Sequence, residues 1–227
     1  MRAHELTPLE EISAHDLVQP LTAIKLEAQM LARRVRGGEV TLADIAAMLD
    51  EMAARTGVLA ERLAAQLSLT RASAEALWRG QCELMDLVRS VLAAMDCARA
   101  ERVVVIGPES AAGSWDAERL SQLLRNLLDN ALKYSDQSSA VTLRVSDGPD
   151  DVMISVQDGG IGLTADELPR VFARGYRSTR AAGTPGVGFG LAGCRAIAEA
   201  HGGRIWAESD GPGKGARFVV TLPRFAS

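Results

Sequence analysis

The stretch QLLRNLLDNALKYS (122–135), read as a helix, puts Asn126, Asn130, Lys133 and Tyr134 at i, i+4, i+7 and i+8, on one face. Two carboxamide oxygens and an ammonium at that spacing can serve a magnesium ion and phosphate oxygens. Alone, such a face is more often a solvated helix surface. Downstream, DGGIGL supplies Asp158, Gly160 and Gly162, whose carboxylate can accept a hydrogen bond from an exocyclic amine. Alone, D-x-G-x-G also describes a turn. A third stretch, GTPGVGFGLAGCRAIAEAHGG, has Gly186, Gly188 and Gly190 leading into a helix. Bare backbone and a helix N-terminus together favour bound phosphate. No strand immediately precedes these glycines, so they do not make a Rossmann fingerprint.

The elements that must hold these residues follow from the hydrophobic period. Leu17, Leu21, Ile24, Ala28, Leu31 and Val35 step by four and three, and so do Leu42, Ile45, Leu49, Met52, Thr56, Leu59 and Leu63. Two glycines in RGGEVTLAD turn the chain between these arms, and Thr41 with Asp44 gives a capping-box signal. The result is a helical hairpin with a heptad seam on each arm. One hairpin cannot cover both seams, so pairing with a second copy into a dimeric four-helix bundle is expected. From about Cys82 the pattern becomes mixed α/β. RVVVIG, AVTLRVS, DVMISVQD, GRIWAES and ARFVVTLP read as strands, with helices over about 86–99, 116–134 and 189–201. Short turns such as GPGKG between strands point to a mixed sheet with helices on one face. The division expected is a hairpin over 1–70, a linker over 71–80 and an α/β sandwich over 81–227.

Bulk properties narrow the partners. A net charge of −4 over 227 residues offers nothing to attract nucleic acid. Cys82, Cys97 and Cys194 have no paired spacing and read as reduced thiols. The apolar runs are far short of a membrane span and MRAHELTPLE is not a signal peptide, so a cytoplasmic location is expected, with any membrane-attached sensor outside this chain.

In order and spacing these stretches resemble the catalytic core of sensor histidine kinases, the two-component family, over nearly the whole chain. Asn126 to Tyr134 are similar to that family's N box, Asp158 to Gly162 to its G1 box, VFARGYRS to its F box and Gly186 to Gly190 to its G2 box. AHDLVQPLTAI resembles the H box, with His15 as phosphoacceptor. The resemblance implies a Bergerat-type ATP-binding domain using ATP and Mg2+. By it, Asp158 recognises the adenine amine, with Gly160, Ile161 and Gly162 beside it, and Asn130 binds the metal. Asn126, Lys133 and Tyr134 contact nucleotide or phosphates. Residues 173–187 form a lid in which Arg177 meets the γ-phosphate, while Arg180 reads equally well as part of a solvated loop. Phe172, Ile161 and Leu191 pack around the nucleotide.

The same resemblance makes His15 the nucleophile, a neutral imidazole nitrogen attacking the γ-phosphoryl group. Asp16, where glutamate is more usual, can hold the proton of the other ring nitrogen. Gln19 departs from the usual threonine or asparagine at the position that orients water for phosphatase activity. That activity is therefore left open. Of the other histidines, His4 sits at the terminus and His201 is expected to cap a helix end. Pro20 removes one helical hydrogen bond just below His15, at a cost of about 3 kcal/mol, so a bend or hinge is expected there. The phosphoryl group would pass to a response regulator docking near Thr22, Leu26 and Glu27 of a homodimer. Gyrase, MutL and Hsp90-like ATPases share the nucleotide fold but carry a catalytic glutamate where this chain has Gln122, which cannot act as a base. An ATPase of that kind, or a pseudokinase scaffold docking a receiver domain, is the alternative reading.

Overall fold

The computed structural model describes residues 14–37, 41–52, 56, 77–181 and 188–225, with side chains from Thr22 onward. It divides into two compact units, residues 1–63 and 64–227. In the first, α1 (Ala14–Gly37) runs helical through Pro20, and α2 is described over 42–52. The capping box starts α2: Thr41 N and Oγ1 donate to Asp44 Oδ2 at 3.0 and 2.7 Å, and Asp44 N donates back to Thr41 Oγ1 at 3.2 Å. Leu31 is buried, whereas Val35 and Leu49 on the two seams remain 44% and 52% exposed. An open apolar groove of about 410 Å³ runs between Ala28, Leu31, Val35, Leu49 and Met52. The side chains of Leu17 and Leu21, and Leu59 and Leu63 altogether, lie outside the described residues.

The second unit is an α/β sandwich. Its five-stranded sheet has the order β2 (Val103–Ile106), β4 (Val141–Asp147), β5 (Asp151–Gln157), β7 (Arg217–Pro223), β6 (Arg204–Glu208). β2 and β4 are parallel and the other neighbours antiparallel, so the sheet is mixed. Alternation along the strands builds the core face: Val141, Leu143 and Val145 of β4, Val152, Ile154 and Val156 of β5, and Phe218, Val220 and Leu222 of β7 are all buried. Helices α5 (Ala117–Tyr134) and α6 (Gly190–Ala200) cover that face, and α3 (Leu84–Ala93) packs beside α5.

Two details differ from the sequence expectation. The helix expected over 86–99 is two: α3 ends at Ala93, and α4 (Cys97–Ala100) restarts at Asp96, whose side chain accepts the Ala98 N–H. A small antiparallel pair, β1 (Gly80–Glu83) with β3 (Ala112–Trp115), has no counterpart in the expected strands. β1 thus begins at Gly80, inside the stretch assigned to the linker. The residues before it are also tied to this unit, since Trp78 N donates to Asp116 Oδ2 at 3.2 Å and Arg79 Nη2 to the Ala200 carbonyl at 3.1 Å.

His201 does cap α6, from a buried position. Its Nδ1 lies 2.8 Å from the Ile197 carbonyl, while Nε2 accepts the Asp116 N–H at 3.0 Å. Burial lowers its pKa and keeps it neutral, which that pair of bonds requires. No helix among the described residues is long and apolar enough to cross a membrane. The described cysteines are unpaired; Cys82 and Cys194 are buried and Cys97 is exposed.

Candidate nucleotide site

Helix α5 positions the first group of residues. Asp116 caps its start by accepting the Arg119 N–H at 3.1 Å, and Leu120, Leu123, Leu124, Leu127, Leu128 and Ala131 are fully buried on one stripe. That burial fixes the rotation of the helix, so the flank beside the stripe presents Asn126, Asn130, Lys133 and Tyr134, each half-buried. Asn126 Nδ2 donates to the Gly190 carbonyl at 3.3 Å, joining this face to the start of α6. Lys133 Nζ lies 5.6 Å from the centre of the Tyr134 ring. Asn130 makes no hydrogen bond among the described residues, which leaves its carboxamide oxygen available to a ligand.

Asp158 follows the last residue of β5 and is 7% exposed. Its Oδ1 accepts the Gly160 and Ala216 N–H groups at 2.8 and 3.3 Å, and its own N–H donates to the Ala216 carbonyl at 2.9 Å. Burial raises its pKa, and those two backbone bonds oppose the rise. Oδ2 takes no hydrogen bond among the described residues. The loop after it is pinned to α5, because Ile161 N donates to the Tyr134 carbonyl at 3.1 Å. Gly160 is required at that crossing, since a Cβ there would lie 2.1 Å from the Tyr134 oxygen.

The GPGKG turn, read from sequence as a simple connection, forms the floor of this loop. Gly213 N donates to the Ile161 carbonyl at 2.8 Å and Gly215 N to the Gly160 carbonyl at 3.1 Å. Gly215 has φ +72°, and a Cβ on it would stand 2.0 Å from the Asp158 carbonyl oxygen. Ser209 completes the floor, accepting the Leu163 N–H at 3.0 Å and donating to the Gly215 carbonyl at 2.6 Å. The signal that could have found this turn was its own G-x-G-x-G spacing.

Beyond the loop, Phe172 is buried edge-on to Phe218, with ring centres 6.3 Å apart, and Arg195 lies over its other side at 4.9 Å. Leu191 packs against the same core. The stretch 175–188 is closed at its base, where Gly175 N donates to the Gly188 carbonyl at 3.1 Å. Arg177 is exposed, with Nη2 donating to the Ala181 carbonyl at 3.3 Å. Arg180 is exposed, yet its guanidinium is engaged with the loop after Asp158 and with Glu167. Gly186 and the rest of 182–187 lie outside the described residues, as do the side chains of His15, Asp16 and Gln19, whose backbone is helical in α1.

The donors present suit a nucleotide with a divalent ion. One buried carboxylate has an oxygen to spare, one carboxamide is unengaged, and bare glycine backbone leads into α6. No group of three or more His, Cys, Asp or Glu able to hold a metal occurs among the described residues. A cation here would rely on Asn130 and phosphate oxygens, the way magnesium is usually held in phosphate chemistry.

Known histidine kinases resemble this chain in sequence and in fold. The profile of the histidine kinase-, DNA gyrase B- and HSP90-like ATPase family matches residues 115–226. The adaptive-response sensory kinase SasA of Synechococcus elongatus is 31% identical over 221 residues, 92% of this chain and 57% of that protein. The alginate biosynthesis sensor protein KinB of Pseudomonas aeruginosa is 29% identical over 216 residues, 93% of this chain and 36% of that protein. The chain thus spans about half the length of the curated relatives it matches. The solved histidine kinase AdeS of Acinetobacter baumannii has the same fold, with a TM-score of 0.70 over 92% of this chain and 98% of that one, at 19% identity. Residues 115–226 belong to the histidine kinase-, DNA gyrase B- and HSP90-like ATPase family, and these matches together with the mixed-sheet α/β fold identify the chain as a sensor histidine kinase catalytic core.

Proposed function

We propose that the chain uses ATP and magnesium to phosphorylate its own His15 and passes the phosphoryl group to an aspartate of a response regulator. The observation that carries this reading is the state of Asp158. One carboxylate oxygen is fixed by two backbone N–H groups, and the other is left over beside a glycine loop. An acceptor held in that way is suited to the adenine amine, and Gly160, Ile161 and Gly162 supply the wall next to it. Asn130 would hold the magnesium ion, which would supply charge neutralisation and alignment for the γ-phosphoryl group. Asn126, Lys133 and Tyr134 contact nucleotide or phosphates. Gly186, Gly188 and Gly190 offer backbone N–H groups to phosphate, and Arg177 reaches the γ-phosphate. Phe172 and Leu191 pack the surroundings.

At His15 a neutral ring nitrogen attacks the γ-phosphorus. The N–P bond forms as the bond to the bridging oxygen of ADP breaks, and Asp16 holds the proton on the other nitrogen. Gln19 offers an amide to a water that would hydrolyse the regulator's phosphoaspartate. Residues 1–70 serve as dimerisation and phosphotransfer hairpin, 71–80 as linker and 81–227 as ATP-binding domain. Exposed Leu26, with Thr22 and Glu27, offers the receiver domain a docking strip.

Asp158→Asn tests the adenine role. It keeps the shape but replaces an ionised acceptor with a neutral one, so ATP affinity measured by calorimetry drops about tenfold or more. Unchanged affinity removes Asp158 from the role.

The homodimer is supported by the open groove along Ala28, Leu31, Val35, Leu49 and Met52 of a hairpin that leaves its seams half-covered. Sedimentation at micromolar concentration should give twice 24.1 kDa. Leu49→Glu puts a charge in that groove, and both the dimer and self-labelling should weaken together. A parent chain that sediments as a monomer counts against the bundle.

A further inference from the structure

Glu167 and Arg180 are thirteen residues apart and belong to none of the nucleotide boxes, yet they tie two of them together. Glu167 is 9% exposed. Its Oε2 accepts Thr164 N at 2.8 Å and Thr164 Oγ1 at 3.2 Å, and pairs with Arg180 Nη2. The same guanidinium turns its remaining donors to the loop after Asp158, Nη1 reaching the Ile161 carbonyl at 3.0 Å and Nη2 the Gly162 carbonyl at 3.2 Å. A planar fork can satisfy two carbonyls and a carboxylate at once, whereas an ammonium cannot hold that geometry.

We propose that Arg180, held by Glu167, is a positioning residue for nucleotide binding that sets the loop recognising adenine and roots the stem of the lid on it. This rests on the adenine-site reading of Asp158. Three observations carry the proposal. The two carbonyls belong to the residues directly after the Asp158 turn. The Ile161 carbonyl is shared with Gly213 N at 2.8 Å, so Arg180 closes the side of the loop opposite the glycine floor. Arg180 also lies within Thr179–Ala181, a 3-10 turn at the base of the lid, and its N–H donates to Ser178 Oγ at 3.2 Å. Burial alone would raise the Glu167 pKa, but bonds from Ser178, Thr164 and Arg180 hold it down to about 2, so the pair stays ionised throughout the physiological range.

A positioning role and a phosphate contact predict different nucleotide patterns. Kd values for ADP and ATP are measured by calorimetry on the full chain, first on the parent. A parent that binds neither nucleotide removes the adenine-site reading, and this proposal with it. Given parental binding, Arg180→Ala and Glu167→Gln should each weaken ADP and ATP by the same factor, about tenfold for a charge-assisted tether. The double variant should be no weaker than the worse single one, since both break one tether. Arg180→Lys should recover only part of the loss. Thermal midpoints identify any variant that fails to fold; Glu167→Gln, which keeps the side-chain shape, then carries the comparison. Weakening of ATP alone makes Arg180 a γ-phosphate ligand and overturns the proposal. Unchanged ADP affinity, or losses that multiply in the double variant, overturns it as well.

Discussion

His15→Ala protein, incubated with γ-labelled ATP and magnesium, takes up no label while its ATP affinity stays within about twofold of the parent's. The two halves of that result have separate causes. His15 lies on α1 in the first compact unit, whereas Asp158, Asn126, Asn130 and both glycine boxes belong to the second. Truncating a side chain in the first unit leaves the hydrogen bonds of the second intact, so binding persists. The label is lost because its acceptor atom is gone. The parent's label should be acid-labile and base-stable, as a phosphoramidate is. Equal labelling of the variant would mean a different acceptor. Acid-stable, base-labile phosphate would then point to a hydroxyl side chain and to another reaction class.

Gly215→Ala should be the most damaging single substitution in the floor of the site. The residue adopts φ +72°, where a Cβ is strained, and that Cβ would also stand 2.0 Å from the Asp158 carbonyl oxygen. Backbone must move to admit it, and the backbone in the way carries the Asp158 carboxylate. A loss of about 3 kcal/mol is expected from strain and overpacking together. For a domain of this size that lowers the melting midpoint by roughly 6–12 °C. Gly213→Ala is the matched control: its φ of +73° is similar, but nothing lies within 4 Å of the added atom. It should cost only about 1 kcal/mol, the strain without the clash. Equal melting losses in the two variants would mean that contact with the Asp158 carbonyl does not matter.

The parts of this molecule legible in the sequence are those written in short range. The five strands of the large sheet are read from short apolar runs, several of them alternating, and α5 from a helical stretch carrying the asparagine face, because each pattern spans fewer than about twenty residues. Asn126 and Asn130 could be put on one face for the same reason. The break between α3 and α4 was missed because CARA continues good helix formers across it, and only the capping by Asp96 marks the restart. β1 and β3 were missed because GQCE and AGSW are short and do not alternate. The clamp of Arg180 was out of reach: in sequence it reads equally well as part of a solvated loop, until the fold brings the carbonyls of Ile161 and Gly162 within reach of its side chain. The GPGKG turn is a similar case. Its local role as a β6–β7 connection is plain, but its second role depends on β5 ending beside it.

The unequal burial of the three thiols turns the protein into its own labelling reagent. Alkylation proceeds through the thiolate. Burial pushes Cys194 from 9.0 up to about 12, and Cys82 is also raised, first by burial and then by the charges of Glu83 and Asp116. At neutral pH, a rise of that size leaves Cys194 with roughly a thousandth of an ordinary thiol's reactive fraction, before counting its enclosure between α6 and α5. Cys97, by contrast, is exposed to solvent at the first position of α4. A maleimide dye should therefore settle on one position per chain without any cysteine being removed. The native sequence then carries a single optical reporter on the ATP-binding unit, and mixing donor- and acceptor-labelled chains would report on any association between them as energy transfer.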